Sequence, residues 1–127
     1  YRLEMGTKLK IDKSSKNLYE YWRETLTESM ISELNSDDVI LNLASLEYAK
    51  AINFKAISNK IITPVFKDFK NGKLKTIMMY AKRARGSMAR AVVKKRIDQT
   101  NDLKLLELDG YSYDERLSSE NEWVFTR

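Results

Sequence analysis

The sequence predicts a mixed α/β (α+β) protein with a largely antiparallel sheet and flanking helices. Three observations support this fold class: helical spacing of apolar residues after Asn17, a strong turn signal at Asn71-Gly72, and two aromatic-rich runs at residues 110–113 and 123–125. The chain has 127 residues, of which 43% are hydrophobic. This length is enough for one domain with a core and too short for two.

The first helix is predicted over residues 17–34. Asn17 and Glu20 have the spacing of a capping box. A polar turn then leads to a short buried strand at residues 39–43 and a short helix at residues 44–52. The apolar residues that recur at helical spacing in the first helix are Leu18, Trp22, Leu26, Met30 and Leu34.

A central hairpin is predicted at Asn71-Gly72, the dipeptide most typical of two-residue hairpin turns. Its first arm, residues 61–66, contains Pro64, which predicts an edge strand or a strand that begins near the proline. Its second arm, residues 73–84, is apolar on both faces at its centre. We therefore expect this arm to be an interior strand.

Positive charge is concentrated between residues 67 and 96. The whole chain carries a net charge of +5, and this window contains one acidic residue, Asp68. Such a surplus attracts polyanions, although a solvated surface that only aids solubility would give the same pattern. The basic residues of the window are Lys67, Lys70, Lys73, Lys75, Lys82, Arg83, Arg85, Arg90, Lys94, Lys95 and Arg96.

The sequence around Gly86 predicts an anion site where a strand turns into a helix. We expect the strand to end at Gly86 and the helix to run over residues 87–97, with Arg83 and Arg85 just before its unpaired amides. Guanidinium groups in that position would bind phosphate oxygens. The alternative is a helix that starts at a glycine and is preceded by solvated arginines. The candidate nucleic-acid- or phosphate-binding residues are Lys82, Arg83, Arg85, Gly86, Arg90, Lys94 and Lys95.

A second candidate site is a cleft for a nucleotide, a base or a phosphorylated small molecule. Asn42 interrupts the predicted strand and Ser45 falls where the next helix would be capped, so a ligand loop and simple backbone capping both stay open. Glu47 would act as a general acid or base opposite Arg85. Tyr80 would stack on a base. The candidate cleft residues are Arg2, Glu4, Asn42, Ser45, Glu47 and Tyr80.

The chain has no cysteine and no histidine. This composition excludes disulfides, thiolate nucleophiles and imidazole-based catalysis, and we expect no cofactor and no metal ion. No stretch approaches about 20 consecutive apolar residues, so we expect no membrane partner. The absence of cysteine and of a secretory signal favours the cytoplasm.

Five segments occur in an order that is typical of one protein family. They are Tyr1-Arg-Leu-Glu-Met-Gly6, Asn42-Leu-Ala-Ser-Leu-Glu-Tyr48, Phe66-Lys-Asp-Phe-Lys-Asn-Gly-Lys73, Tyr80-Ala-Lys-Arg-Ala-Arg-Gly86 and the ending from Gly110-Tyr111 to Trp123-Val-Phe-Thr-Arg127. Together they resemble the YaaA family of bacterial peroxide stress proteins. The resemblance covers nearly the whole chain.

The resemblance implies a cytoplasmic protein of the hydrogen peroxide response that limits iron-driven oxidative damage and binds duplex DNA through a basic cleft. It implies that residues 1–127 are the C-terminal portion of a YaaA-like domain whose N-terminal half is absent. It supplies no catalytic residue, so enzymatic activity stays open. Direct iron sequestration ranks last, because carboxylates alone suit harder cations than ferrous iron. A missing half would leave an edge or an apolar face exposed, and we therefore expect self-association of the truncated chain.

Overall fold

The computed structural model describes residues 15–127 and divides them into two compact units. The first unit combines the described residues up to Asp38 with Ala44–Asn59, and the second combines Val39–Leu43 with Lys60–Arg127. Within residues 15–127, no helix is both long and apolar enough to cross a membrane.

The first unit is built around helix α1, Leu18–Glu33. The Asn17 side chain caps it by accepting a hydrogen bond from the Glu20 amide at 3.1 Å. The Glu20 carboxylate in turn accepts one from the Lys16 amide at 2.8 Å. The predicted start of this helix is therefore confirmed, because two amides that have no partner inside the helix are satisfied by side chains.

Two 3₁₀ turns, Tyr48–Ala51 and Phe54–Ala56, belong to the same unit, and the first of them packs beside α1. The first of them stands where a short helix was predicted over residues 44–52. Buried Thr27 joins α1 to the segment between the two turns, because its hydroxyl accepts a hydrogen bond from the Asn53 amide at 2.9 Å.

The second unit contains a mixed five-stranded sheet. Its strands are β1 (Ile40–Leu41), β2 (Ile61–Lys70), β3 (Lys73–Lys75), β4 (Ser112–Tyr113) and β5 (Glu122–Thr126). Their order is β1-β2-β5-β4, with β3 pairing on β2. Strand β2 is parallel to β1 and β5 and antiparallel to β3, and β4 is antiparallel to β5. The predicted mixed α/β class is confirmed. The longest ladder, between β2 and β5, is parallel rather than antiparallel because a helical crossover connects these strands.

Strand β2 lies inside the sheet, so the edge strand predicted from Pro64 is wrong, whereas the alternative, a strand that begins near the proline, agrees with its start at Ile61. On one side, Pro64 is in register with Trp123 of β5. On the other side, the pairing with β1 ends at Ile62, and the pairing with β3 starts only at Asp68. The Thr63 amide donates toward β5, so the alternation of the strand directs the nitrogen of Pro64 to the gap between β1 and β3. No ladder hydrogen bond is therefore lost at the proline.

The hairpin at Asn71-Gly72 is confirmed, with φ of 54° and 78° at its two residues, as a type I′ turn requires. The predicted interior strand over residues 73–84 is wrong. Strand β3 ends at Lys75, and helix α2 runs from Met78 to Lys94. The helix predicted over residues 87–97 is thus the second half of α2, and Gly86 lies inside α2 instead of ending a strand.

Helix α2 forms because its buried residues follow helical spacing. Ala81, Ala84 and Met88 are separated by three and four positions and are at most 2% exposed. They pack on one face of β2 with its buried residues Ile62 and Phe66. The surrounding sequence is rich in Ala, Met, Arg and Lys, which are strong helix formers.

The closing strand pair predicted from the two aromatic-rich runs is confirmed as β4 and β5. Phe125 of β5 stacks on Phe66 of β2 with ring centroids 5.3 Å apart. Tyr111 meets the Phe66 ring edge-on at 5.2 Å. These aromatic contacts form the centre of the core in the second unit.

Candidate nucleic-acid interface

The exposed side of α2 carries a row of cationic side chains. Arg83, Arg90 and Lys94 are separated by seven and four positions, so they share one helix face. This face lies away from Ala84 and Met88, which are buried against β2. We call the exposed residues Arg83, Arg90 and Lys94 the basic face of α2, and exposed Lys82 lies at its border.

The Asp109 carboxylate contacts α2, where it accepts a hydrogen bond from the Ser87 hydroxyl at 3.2 Å, but among the described residues no ion pair engages the basic face. In the described part of the chain, the ion pairs are Arg127 with Asp68 and Arg116 with Asp114, and neither involves α2. Further cations precede and follow the helix: Lys73 and Lys75 in β3 are exposed, as is Lys95 at its C-terminal cap. Cations therefore outnumber carboxylates along and beside α2, which favours polyanions.

The predicted anion site at a helix N-terminus is wrong. Helix α2 starts at Met78, so the amides near Gly86 bond to carbonyls within the helix and cannot bind phosphate. Arg83 and Arg85 do not form a joint anchor either, because side chains two positions apart point to different sides of a helix. Arg83 is exposed, whereas Arg85 is half-buried. That these side chains contact phosphate individually stays a prediction.

The most organised polar cluster of the second unit centres on Asp68 at the end of β2. The Tyr111 hydroxyl donates a hydrogen bond to one of its carboxylate oxygens. The other oxygen accepts a hydrogen bond from Arg127 Nε at 2.5 Å. Arg127 Nη1 also donates to the Asp109 carbonyl oxygen at 2.6 Å. The cluster therefore ties the ends of β2 and β5 to the turn before β4.

The pKa values of the cluster follow from burial and these hydrogen bonds. Burial opposes ionisation of Asp68, but the hydrogen bonds from Tyr111 and Arg127 and the nearby positive charge outweigh it and lower its pKa. Burial, together with the hydrogen bond to Asp68, raises the pKa of Tyr111 to about 12. The hydrogen bond to Asp68 raises the pKa of Arg127. The carboxylate is thus ionised and the phenol neutral over the physiological range.

The original protein is expected to lose stability at alkaline pH as Tyr111 ionises, and the Tyr111→Phe variant is expected not to show this loss. The pKa of about 12 in the folded chain lies above the value of about 10 for an unfolded tyrosine. The contribution of Tyr111 is therefore complete below about pH 10 and is lost as the pH rises through about 12. Urea unfolding of both proteins between pH 8 and pH 12 measures the difference. Parallel stability curves over that range would contradict the assignment.

Arg127 of the cluster also contacts Tyr80, the residue expected to stack on a base. The Arg127 guanidinium lies over the Tyr80 ring, 4.9 Å from its centroid, and 4.3 Å from that of Tyr111. One face of Tyr80 is thus covered by a cation–π contact within the chain. Its stacking on a base stays a prediction for the other face, since 41% of the residue is exposed.

The candidate cleft residues fall in different parts of the structure. Ser45 and Glu47 belong to the first unit, where the Ser45 hydroxyl accepts a hydrogen bond from the Tyr48 amide at 3.2 Å and Glu47 accepts one from the Tyr19 hydroxyl at 2.7 Å. Asn42 belongs to the second unit, and its side-chain amide donates to the Thr63 hydroxyl at 3.3 Å. Arg2 and Glu4 lie outside the described residues. These contacts are those of local capping and bracing, and the shared cleft stays a prediction.

The sequence interpretation missed the Asp68 cluster. A usable signal existed, because Asp68 is the one acidic residue in a strongly basic window and a lone carboxylate there needs a cationic partner. Among residues 15–127, no three carboxylates converge in a way that would hold a metal ion.

The second unit thus defines a mixed α/β protein with an exposed cationic helix over a parallel pair of strands. A family model described as "Peroxide stress protein YaaA" matches residues 1–117. The chain belongs to this family, as the five sequence segments indicated.

The chain is similar to bacterial proteins described as "UPF0246 protein". One from Shewanella oneidensis is 52% identical over 129 residues, and one from Clostridium perfringens is 48% identical over 129 residues. One from Colwellia psychrerythraea is 47% identical over 130 residues. In each case, the match covers 100% of this chain and 50% of the relative. The chain thus spans about half the length of the curated relatives it matches.

Proposed function

We propose that this chain binds the phosphate backbone of duplex DNA through the basic face of α2. The observation that carries the proposal is a row of exposed cations with no carboxylate partner in the described part of the chain. At a rise of about 1.5 Å per residue, Arg83 and Lys94 are about 16 Å apart along the helix axis. A row of this length can contact several phosphates of one duplex.

Binding of this kind is independent of base sequence. Contacts from Lys and Arg to phosphate oxygens position a protein on DNA but do not read the bases. They release condensed cations from the duplex, so the affinity falls steeply as salt is added. A strong dependence on salt and a weak dependence on sequence are therefore the expected signature.

The same release of cations supports a role in peroxide stress. Ferrous iron held at DNA phosphates reacts with hydrogen peroxide close to the sugars and bases. A protein that neutralises those phosphates displaces the iron along with the other condensed cations. We propose that the chain, acting in the reducing cytoplasm, limits iron-driven damage to DNA in this way. Protection of a plasmid from nicking by ferrous iron and peroxide measures this effect.

The double substitution Arg83→Ala, Arg90→Ala is expected to weaken duplex binding and to flatten its salt dependence. Each phosphate contact that is lost lowers the slope of log affinity against log salt by about 0.9. Fluorescence anisotropy with a labelled duplex of mixed sequence, at several salt concentrations, gives the slope. Plasmid protection should fall with the affinity.

Arg116→Ala is the matched control. Arg116 is an arginine whose side chain is 93% exposed, but it pairs with Asp114 in the loop before β5 and is not part of the basic face. Its substitution should leave the slope unchanged. An unchanged slope in the double variant, or an equal change in the control, would contradict the proposal.

A further inference from the structure

Gly86 lies in the middle of the exposed side of α2, between Arg83 and Arg90 of the basic face. Glycine is a poor residue at this place, because it costs backbone entropy and leaves the helix less stable than alanine would. An exposed helix position without further duties is normally filled by a helix former such as Ala, Lys or Glu. The presence of glycine therefore needs a physical reason.

No reason is found inside the described chain. Gly86 does not have the positive φ that favours glycine, unlike Gly72 and Gly110. A Cβ atom added at Gly86 would meet no atom of its surroundings within 4 Å. Neither the backbone conformation nor close packing in residues 15–127 excludes a side chain at this position.

We propose that Gly86 is the point where the DNA backbone crosses α2 in direct contact with the helix. Arg83 lies three positions before it and Arg90 four positions after it, so both side chains flank it on the same face. At about 1.5 Å per residue, they stand about 4.5 Å and 6 Å away along the axis. The absence of a side chain between them forms a shallow saddle that a sugar-phosphate chain can enter.

The positive charge around the saddle favours the DNA backbone over a protein helix as the group that contacts Gly86. The four positions next to Gly86 on the helix surface are Lys82, Arg83, Ala89 and Arg90, and three of them are cationic. The exposed apolar side chains of Met79 and Val93 lie two turns away on either side. A phosphodiester chain offers the complementary charge, and the two arginines can bind its oxygens from both sides. The inference rests on the proposed function and adds the point of closest approach.

The substitution Gly86→Ala is expected to move stability and binding in opposite directions. The melting temperature should rise by about 3 °C, because alanine favours the helix and clashes with nothing. The affinity for a mixed-sequence duplex should fall by about fivefold, because the methyl group holds the backbone away from the arginines. Gly86→Gln, with a long neutral side chain, should weaken binding further. Thermal unfolding and fluorescence anisotropy on the intact protein measure the two effects.

Thr25→Gln is the matched control, because it adds a similar side chain at an exposed position of α1, which bears no row of cations. It should leave DNA affinity unchanged. Duplex binding by Gly86→Gln that equals the original would overturn the inference alone, as would a lower melting temperature for Gly86→Ala. A change in oligomeric state with unchanged DNA affinity would assign the saddle to a second copy and overturn it too. Failure of the unsubstituted protein to bind duplex DNA would overturn this inference together with the proposed function.

Discussion

Replacing Asp68 with asparagine is expected to lower the free energy of unfolding by about 3 kcal/mol. The carboxylate is 8% exposed and holds two partners, the Tyr111 hydroxyl and the Arg127 guanidinium. An asparagine keeps the shape of the side chain but loses the negative charge. Its NH₂ group then faces either the Tyr111 hydroxyl or Arg127 Nε, both of which donate hydrogen bonds to Asp68. Because Arg127 retains some contact with solvent, the loss lies at the lower end of the range for a broken buried pair.

Urea unfolding at pH 7 measures the loss, with Asp98→Asn as the control. Asp98 is an exposed aspartate just beyond α2, so its substitution should change the free energy of unfolding by no more than about 0.5 kcal/mol. Equal losses in the two variants would show that the cluster contributes nothing beyond surface charge.

The effect of Asp68→Asn should depend on pH in a defined direction. The pKa of Asp68 is lowered in the folded chain, chiefly by the hydrogen bonds that outweigh its burial. Its contribution is therefore complete above the unfolded value of about 3.9 and is lost as the pH falls toward the folded value. The original protein should lose stability in acid more steeply than the variant. A constant difference between the two from pH 7 to pH 2 would contradict this account.

Local signals in the sequence were sufficient for elements that short-range chemistry determines. Asn17 and Glu20 specify the start of α1 because their side chains satisfy amides three or four residues away. Asn71 and Gly72 specify the hairpin because both tolerate a positive φ. Such interactions need no knowledge of the rest of the fold.

Two periodicities overlap at the start of α2, and the sequence there predicts a strand instead of a helix. Residues 74–80 alternate weakly, as in a strand, whereas Ala81, Ala84 and Met88 follow helical spacing. Alanine is only weakly hydrophobic, so the helical spacing of the core-facing residues of α2 gives a weak pattern in the sequence. Gly86 strengthened the error, because a glycine between two apolar runs is usually taken as a break.

The Asp68 cluster was out of reach for a different reason. Its hydrogen bonds join residues 43 and 59 positions apart in the chain. They follow from the parallel pairing of β2 with β5, which brings the end of β5 beside the end of β2. The basic face could be predicted only in part. The surplus of positive charge is evident in the sequence, but the grouping of the cations on one side follows from the helix.

A pair of methionine substitutions tests the helical register of α2 directly. Met88→Ala is expected to lower the free energy of unfolding by about 3 kcal/mol, because it leaves a cavity against β2. Met88 is 0% exposed and belongs to the core of the second unit. Met79→Ala should change stability by no more than about 0.5 kcal/mol, since Met79 is 71% exposed on the same helix.

The two variants separate the helix from an interior strand over residues 73–84. A strand covered on both faces would bury Met79, and its truncation would then cost as much as that of a core methionine. In the helix, Met79 is exposed to solvent, whereas Met88 is buried in the core of the second unit. Urea unfolding of both variants at pH 7 gives the comparison. Losses of similar size would exclude the helical register, and with it the grouping of Arg83, Arg90 and Lys94 on one exposed face.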